Sequence, residues 1–472
     1  MITKQVEYNP FMIADSYKYS HPLSYPPQTT YMMSYIEPRL GGMYDKVFMS
    51  GLLYYLRRYL SQPAKEEDLL EFLSFAPQHG IPDLVGEEAL RKMLKKYKGY
   101  FPVLIRAVPE GTRVDAGNVL VTIESSDPEF FWVPSFLETL LLKIWYPIGV
   151  ATISGDIKRI GLEYLRKTAT DPEGKIGFFL NDFGMRGGSS PETVGIGGMS
   201  HLQFFMGSDN IEGIRYARTY LNFPGMPAFS IPALEHSVVS SWGKENEAKC
   251  YQHFFETWKA DKYPLLACVS DTYDYKNTVE NIWCKQLKDM VIASGKKLII
   301  RPDSGDPVKL IPWTLKKLEE SYGYTTNDLG YKVINNVGVI QGDGVNAKSI
   351  EKILQVVTND ENRYSAENIV FGMGGDLLQN HNRDTNRFAQ KCCAVEVDGI
   401  IQEVKKTPKT DPTKNSKGGL LELVIHPDGI YRTYRRDQLV GKTSSLVDVY
   451  KNGEILVNDT LDEIRTRINN QF

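Results

Sequence analysis

Acidic, basic and glycine residues recur where apolar runs end. Asp271 closes LLACVSD, Arg301 and Asp303 follow KLII in KLIIRPDSGDP (297–307), Gly342 and Asp343 follow VGVIQ, and Gly374 and Gly375 follow NIVFGM. Glycine lets backbone N–H groups approach a phosphate, aspartate can hold ribose hydroxyls, and arginine can hold phosphate or carboxylate. Upstream, NDFGMRG places Phe183 and Arg186 among glycines, an aromatic face for a flat heterocycle beside a cation. Asp209, in FMGSDN, reads either as a helix cap before IEGIRYARTYL or as a ligand contact. Glu235-His236-Ser237 sets an imidazole beside a carboxylate, an arrangement that is structural in many proteins and nucleophilic in others. Each signal alone is weak. Their recurrence at consecutive run ends points to chemistry on a phosphorylated sugar.

The apolar runs have the length of buried parallel strands, and VKLIPWTLKKLEESYG (308–323) and AKSIEKILQVV (347–357) between them have helical spacing. Strand, polar loop, helix, strand is the βαβ rhythm, whose ligands bind at the C-terminal strand ends. Further candidate strands are KIGFFLND (175–182), AFSIPALEH (228–236) and PLLACVSD (264–271), so six strand-to-helix transitions predict an α/β, (β/α) barrel-like domain over 151–384. Residues 1–150 and 385–472 read as a mixed α+β domain built from both ends of the chain. There, 46–62 has helical spacing, 103–130 reads as short antiparallel strands, and 130–154 as a buried connecting helix. Residues 446–469 read as a hairpin with an Asn-Gly turn, then a helix. The lysine-rich stretch 404–419 reads by composition as a solvated mobile loop, or functionally as a basic flap over anions.

Bulk properties narrow the field. The 472 residues exceed one ordinary core, and 42% hydrophobic with 24% charged content is that of a globular protein. A net charge of −3 gives no general attraction to nucleic acid or anionic membrane. No uninterrupted apolar run of membrane-spanning length is present, and MITKQVEYNPFMIADSYKYSH lacks the apolar centre of a secretory signal, so a cytoplasmic protein is expected. The five cysteines are odd in number and lack a CxxC pair, which argues for reduced thiols, with Cys268 in the core. There is no P-loop, no Rossmann fingerprint and no HExxH.

Taken together, ADSYKYSH (14–21), NDFGMRG (181–187), GSDN (207–210), PALEHS (232–237), VSDTYD (269–274), IIRPDSGDP (299–307), VIQGDGV (339–345), FGMGGDLLQ (371–379), NRDT (382–385) and KTDPTKNSKG (409–418) resemble the nicotinamide phosphoribosyltransferase family in order along nearly the whole chain. The resemblance implies a type II phosphoribosyltransferase fold that joins nicotinamide to 5-phosphoribosyl 1-pyrophosphate with magnesium, and a homodimer with shared active sites. It implies that the pyridine stacks between Phe183 and Tyr17 of the other subunit, bordered by Arg301, with Asp209 accepting from the carboxamide. His236, beside Glu235, corresponds to a histidine phosphorylated by ATP. Asp271 and Asp303 correspond to residues around the ribose and magnesium pyrophosphate, and Gly342, Asp343, Gly374 and Gly375 to those around the ribose and its phosphate. Arg186, Arg383, Lys391, Lys406 and Lys414 correspond to phosphate-facing cations.

Two positions depart from the pattern: Ala267 stands where a serine often meets the amide, and Asp376 where a third glycine is expected. Three other readings compete. Nicotinate phosphoribosyltransferase is opposed by Asp209, because facing carboxylates repel and neither donates a hydrogen bond. A non-catalytic signalling or sensing protein would not need His236. A sugar-phosphate lyase would need a strand-end lysine for a Schiff base, and the six candidate strands offer none.

Overall fold

The computed structural model describes residues 8–80, 87–410 and 415–472. The chain divides into two compact units. One comprises 1–152, 219–223 and 381–472, and the other 153–218 and 224–380.

In the second unit, six strands form one sheet: β1 (Leu180–Asp182), β2 (Gly207–Ser208), β3 (Leu265–Val269), β4 (Lys297–Arg301), β5 (Val337–Gln341) and β6 (Ile369–Met373). Their spatial order is β2-β1-β6-β5-β4-β3, and every pairing is parallel. The extended segment 229–233 bridges both edges, Phe229 to Gly207 of β2 and Ala233 to Ala267 of β3. The Ser208 N–H donates to the Phe229 carbonyl (3.2 Å) and the Ala267 N–H to that of Pro232 (3.0 Å), so the sheet closes on itself. Side chains alternate between two environments, as parallel strands covered on both faces require. Ala267, Ile299 and Ile340 cluster on one face with Phe183, Ile231 and Val370 against them. Leu266, Cys268, Leu298, Ile300, Val339 and Phe371 are buried on the other. Helices α1 (Pro191–His201), α2 (Ile211–Tyr220), α3 (His236–Ser241), α4 (Pro307–Tyr322), α5 (Ala347–Thr358) and α6 (Gly375–Leu378) follow strand ends or the bridging segment. Asp306 caps α4 by accepting from the Val308 N–H, and Asn346 caps α5 from the Ser349 N–H.

Three local expectations fail for identifiable reasons. The 175–182 segment begins as a helical turn, Pro172–Ile176, because the Asp171 carboxylate caps it by accepting from the Gly174 N–H; the strand starts only at Leu180. The 228–236 segment makes isolated bridges rather than a ladder, and Pro232 has no N–H to donate. The 46–62 segment is a strand, Lys46–Phe48, followed by helical structure from Leu52, separated by Gly51 at φ +82°.

The first unit is built on a seven-stranded sheet drawn from both chain ends. Thr29–Pro38 pairs antiparallel with Phe388–Val397, and Val103–Ala107 with Val447–Lys451. The last hairpin turns at Asn452 (φ 49°) and Gly453 (φ 101°), the positive pair that a two-residue Asn-Gly turn demands. The helix Leu461–Asn469 follows, capped by Thr460. The expected buried helix after residue 130 is a series of short turns that continues as Trp145–Thr168. Composition reads this region differently from an uninterrupted-run criterion. Pro128–Thr168 contains a window of mean hydropathy 1.4, apolar enough to cross a membrane, but 72% of it is buried inside the protein, as in a core helix.

Candidate active site

The C-terminal strand ends of the second unit surround a cavity of about 740 Å³. Phe183 extends β1 by one residue, its N–H donating to the Met373 carbonyl (3.0 Å). Its ring lies over Gly372, where an added Cβ would come within 2.1 Å of the ring. Gly342 faces both Phe183 and Asp303, which lie 3.8 and 3.7 Å from where its Cβ would be. Gly374 and Gly375 open α6 beside Gly187, and these residues, with Arg186 and Asp343, line the same cavity. Arg186 lines the cavity and has no ion pair with a carboxylate among the described residues.

Asp209 also lines the cavity, and one of its oxygens accepts from the Ser230 hydroxyl. It does not cap α2. That role falls to Asn210, whose side-chain oxygen accepts from the Gly213 N–H (3.0 Å).

His236 starts α3, and its carboxylate neighbours come from distant strands. Nε2 lies 3.3 Å from Asp303 Oδ2 and 3.7 Å from Asp271 Oδ1, while Nδ1 is 3.1 Å from the Thr272 hydroxyl. Ionised carboxylates only accept, so the tautomer that satisfies these contacts carries its proton on Nε2 and leaves a lone pair on Nδ1. Glu235 bonds to the Ser237 hydroxyl rather than orienting the ring. Asp271 Oδ2 accepts from the Asp303 N–H (3.2 Å) and the Ser304 hydroxyl (2.5 Å), fixing the loop after β4. Asp303 is thereby held toward the histidine, and Asp306 takes the capping role open to it in the sequence. Asp271 Oδ1 and Arg301 Nε are buried without a hydrogen bond, each instead facing an oppositely charged group: His236 Nε2 at 3.7 Å and Asp303 Oδ1 at 3.9 Å.

Two arginines, Arg186 and Arg301, share the lining with five acids: Asp209, Glu235, Asp303, Asp343 and Asp376. Asp376, the departure from the glycine pattern, lies against the Asn380 amide.

Tyr17, Arg383, Lys391 and Lys406 belong to the first unit and do not line this cavity. Tyr17 is exposed (61%) and packs edge-on against His21. Arg383 pairs with Asp384 at 3.0 Å. Lys391 is pushed down from the ordinary lysine range by burial, opposed by Glu138 and reinforced by Arg39, Lys18 and Arg383. Arg39 therefore joins this cationic group, though no motif singles it out. Lys414 lies outside the described residues. The stem of the lysine-rich stretch is tied down: the Val404 and Gly419 N–H groups both donate to the Cys393 carbonyl (2.9 and 2.8 Å), and Lys406 and Ser416 are paired. Composition alone missed this anchoring.

A family profile described as "Nicotinate phosphoribosyltransferase (NAPRTase) family" matches residues 178–454. A second, "Nicotinamide phosphoribosyltransferase, N-terminal domain", matches 9–105. The chain belongs to the nicotinate phosphoribosyltransferase family. Its relatives within that family include proteins named nicotinamide phosphoribosyltransferase. One from Xanthomonas campestris pv. campestris is 43% identical over 97% of both chains, and one from Acinetobacter baylyi is 31% identical over 98% of both. Among solved structures, a nicotinate-nucleotide pyrophosphorylase from Pyrococcus furiosus aligns over 100% of this chain and 98% of its own, with TM-score 0.62 and 15% identity. Human nicotinic acid phosphoribosyltransferase aligns over 97% and 93%, with TM-score 0.57 and 16% identity. These likenesses bear out the barrel-like phosphoribosyltransferase fold, and membership of the family makes the chain a pentosyltransferase.

Two outcomes follow from the site's packing. Gly372→Ala should displace the Phe183 ring and weaken binding of a flat heterocycle by about tenfold or more, roughly 1.4 kcal/mol, measurable by titration calorimetry. The second concerns Asp182, which burial raises to about 6 from 3.8. The native carboxyl then binds its proton more tightly than the unfolded chain does. Its contribution to stability is full below about 4 and is lost as pH rises through 6. Between pH 4 and 7, wild type should lose about 2–3 kcal/mol relative to Asp182→Asn in denaturant unfolding.

Proposed function

We propose that the chain transfers the phosphoribosyl group of 5-phosphoribosyl 1-pyrophosphate to nicotinamide, giving nicotinamide mononucleotide and pyrophosphate in NAD salvage. The observation that carries the choice of base is Asp209. Its carboxylate faces the cavity with one oxygen occupied by Ser230, leaving the other to accept a hydrogen bond. A carboxamide supplies that donor, whereas nicotinate would place a second anion there. Ala267 provides no hydroxyl for the amide, so recognition leans on Asp209. The names of the relatives from Xanthomonas and Acinetobacter support the same choice.

In this reading Phe183 stacks on the pyridine and Arg301 borders it. Gly342 and Asp343 hold the ribose, and Gly374, Gly375 and Arg186 its phosphate. The pyridine nitrogen already carries its lone pair, so no strong base is required. Positioning and stabilisation of the leaving pyrophosphate supply the rate. Asp271 and Asp303 are the carboxylates that would lie nearest a magnesium ion brought in with the donor, and carboxylate oxygen is the ligand type that ion takes. Asp271 Oδ1 is buried without a hydrogen bond, and the described residues contain no cluster of three acidic, histidine or cysteine ligands that would cage an ion alone. Magnesium arriving with the donor would neutralise charge on the leaving group.

An acidic lining is poorly suited to a polyanion on its own. That deficit supports a homodimer in which Tyr17 of the partner subunit covers the ring and Arg383, Lys391, Lys406 and Lys414 serve phosphates. ATP is the proposed co-substrate: Nδ1 of His236 attacks the γ-phosphorus, ADP leaves, and the resulting phosphohistidine adds negative charge near the forming ribosyl cation.

The test supplies nicotinamide and nicotinate in equal amounts with the phosphoribosyl donor and magnesium, with and without ATP, and separates the products by chromatography. Predominantly nicotinamide mononucleotide is expected, with a gain from ATP that His236→Ala abolishes. Nicotinate mononucleotide as the main product would overturn the base assignment, and no nucleotide from either base would overturn the enzymatic reading. Asp209→Asn should cost about 1.5–3 kcal/mol in kcat/KM for nicotinamide while narrowing the preference over nicotinate.

A further inference from the structure

Asp182 immediately precedes the stacking residue Phe183 and has no role in the chemistry described above. Strand alternation turns its side chain to the side of the sheet opposite Phe183, and it is fully buried. One carboxylate oxygen accepts from the Gly184 N–H (2.8 Å) and the other from the Asn210 amide (2.9 Å). Its main-chain carbonyl accepts from the Asp209 N–H (3.0 Å). Asn210 in turn donates to the Val194 carbonyl of α1 (2.8 Å) while capping α2. One residue therefore ties the loop that aims Phe183 to the loop that presents Asp209.

A carboxylate is an expensive way to fill such a position. Burial raises its carboxyl to about 6, and the nearby Asp209 charge pushes in the same direction. An isosteric amide would keep one acceptor but turn N–H hydrogens toward one of the two donors. Two donors converging on opposite oxygens of one side chain is the geometry that a carboxylate alone satisfies. Its negative charge also lies close enough to Asp209 to be felt there, so it adds to the field that meets the substituent of the base.

We propose that Asp182 is a positioning residue which sets Phe183 and Asp209 relative to one another and thereby tunes the discrimination between a carboxamide-bearing and a carboxylate-bearing pyridine. The proposal rests on the nicotinamide reading of the site. Asp182→Asn is expected to raise KM for nicotinamide about tenfold, to leave KM for the phosphoribosyl donor within twofold, and to narrow the nicotinamide-to-nicotinate ratio of kcat/KM about tenfold. The double variant Asp182→Asn with Asn210→Asp reverses donor and acceptor between the two side chains and should recover part of the lost nicotinamide KM. If Asp182→Asn does not fold, Asn210→Ala, which removes one of the two ties, should show the same KM split at smaller size. A fall in melting temperature with both KM values and the base ratio unchanged would overturn the proposal, as would an equal rise in both KM values. Wild-type enzyme that forms no nicotinamide mononucleotide would instead overturn the function on which it rests.

Discussion

The constraint behind the site is electrostatic. The cavity at the strand ends of a phosphoribosyltransferase-family chain is lined by more carboxylates than guanidinium groups. Side-chain charge in the barrel-like unit cannot by itself compensate a phosphorylated sugar, so other devices carry weight. Glycines at 342, 374 and 375 line the cavity with main chain instead of side chains. Arg186 is left without a competing carboxylate among the described residues. Asp271 spends one oxygen on the loop that holds Asp303 and turns the other toward His236.

The same logic separates the residues of the site from those that arrange them. Phe183 and Asp209 line the cavity and His236 adjoins it through Asp303, and each of the three is held by neighbouring groups. Gly372 leaves the space that Phe183 occupies. Ser230 steadies Asp209. Thr272 and Asp303 set the imidazole tautomer. Because the donors and acceptors in these pairs are complementary, the geometry is established before any substrate arrives, which is where pre-organised sites gain their advantage.

Much of this was legible in the residues. The strands β3 to β6 are apolar runs with turn chemistry at their ends, and the pattern that marks them also places Asp271, Asp303, Gly342 and Gly374 at one mouth. What the pattern could not convey was convergence over long separations. His236 looks paired with its neighbour Glu235, yet its carboxylate partner is Asp303, 67 residues away. Strand β2 has two residues, too few for any hydropathy period, and the barrel closes through a proline-containing segment that makes bridges instead of a ladder. Asp182 was overlooked because a buried carboxylate beside a strand end has no signature of its own. Its partners, Gly184 and Asn210, are meaningful only once the fold has brought them together.

The lysine-rich stretch between Val404 and Gly419 has a consequence of its own. Both of its ends hang from a single carbonyl oxygen, that of Cys393. The stretch leaves the seven-stranded sheet after Glu403, returns to that same carbonyl at Gly419, and only then enters a separate two-stranded sheet. Residues can be gained or lost within it at a closure cost that grows only with the logarithm of its length. The number and reach of its lysines are therefore separable from the geometry of the sheet that carries it.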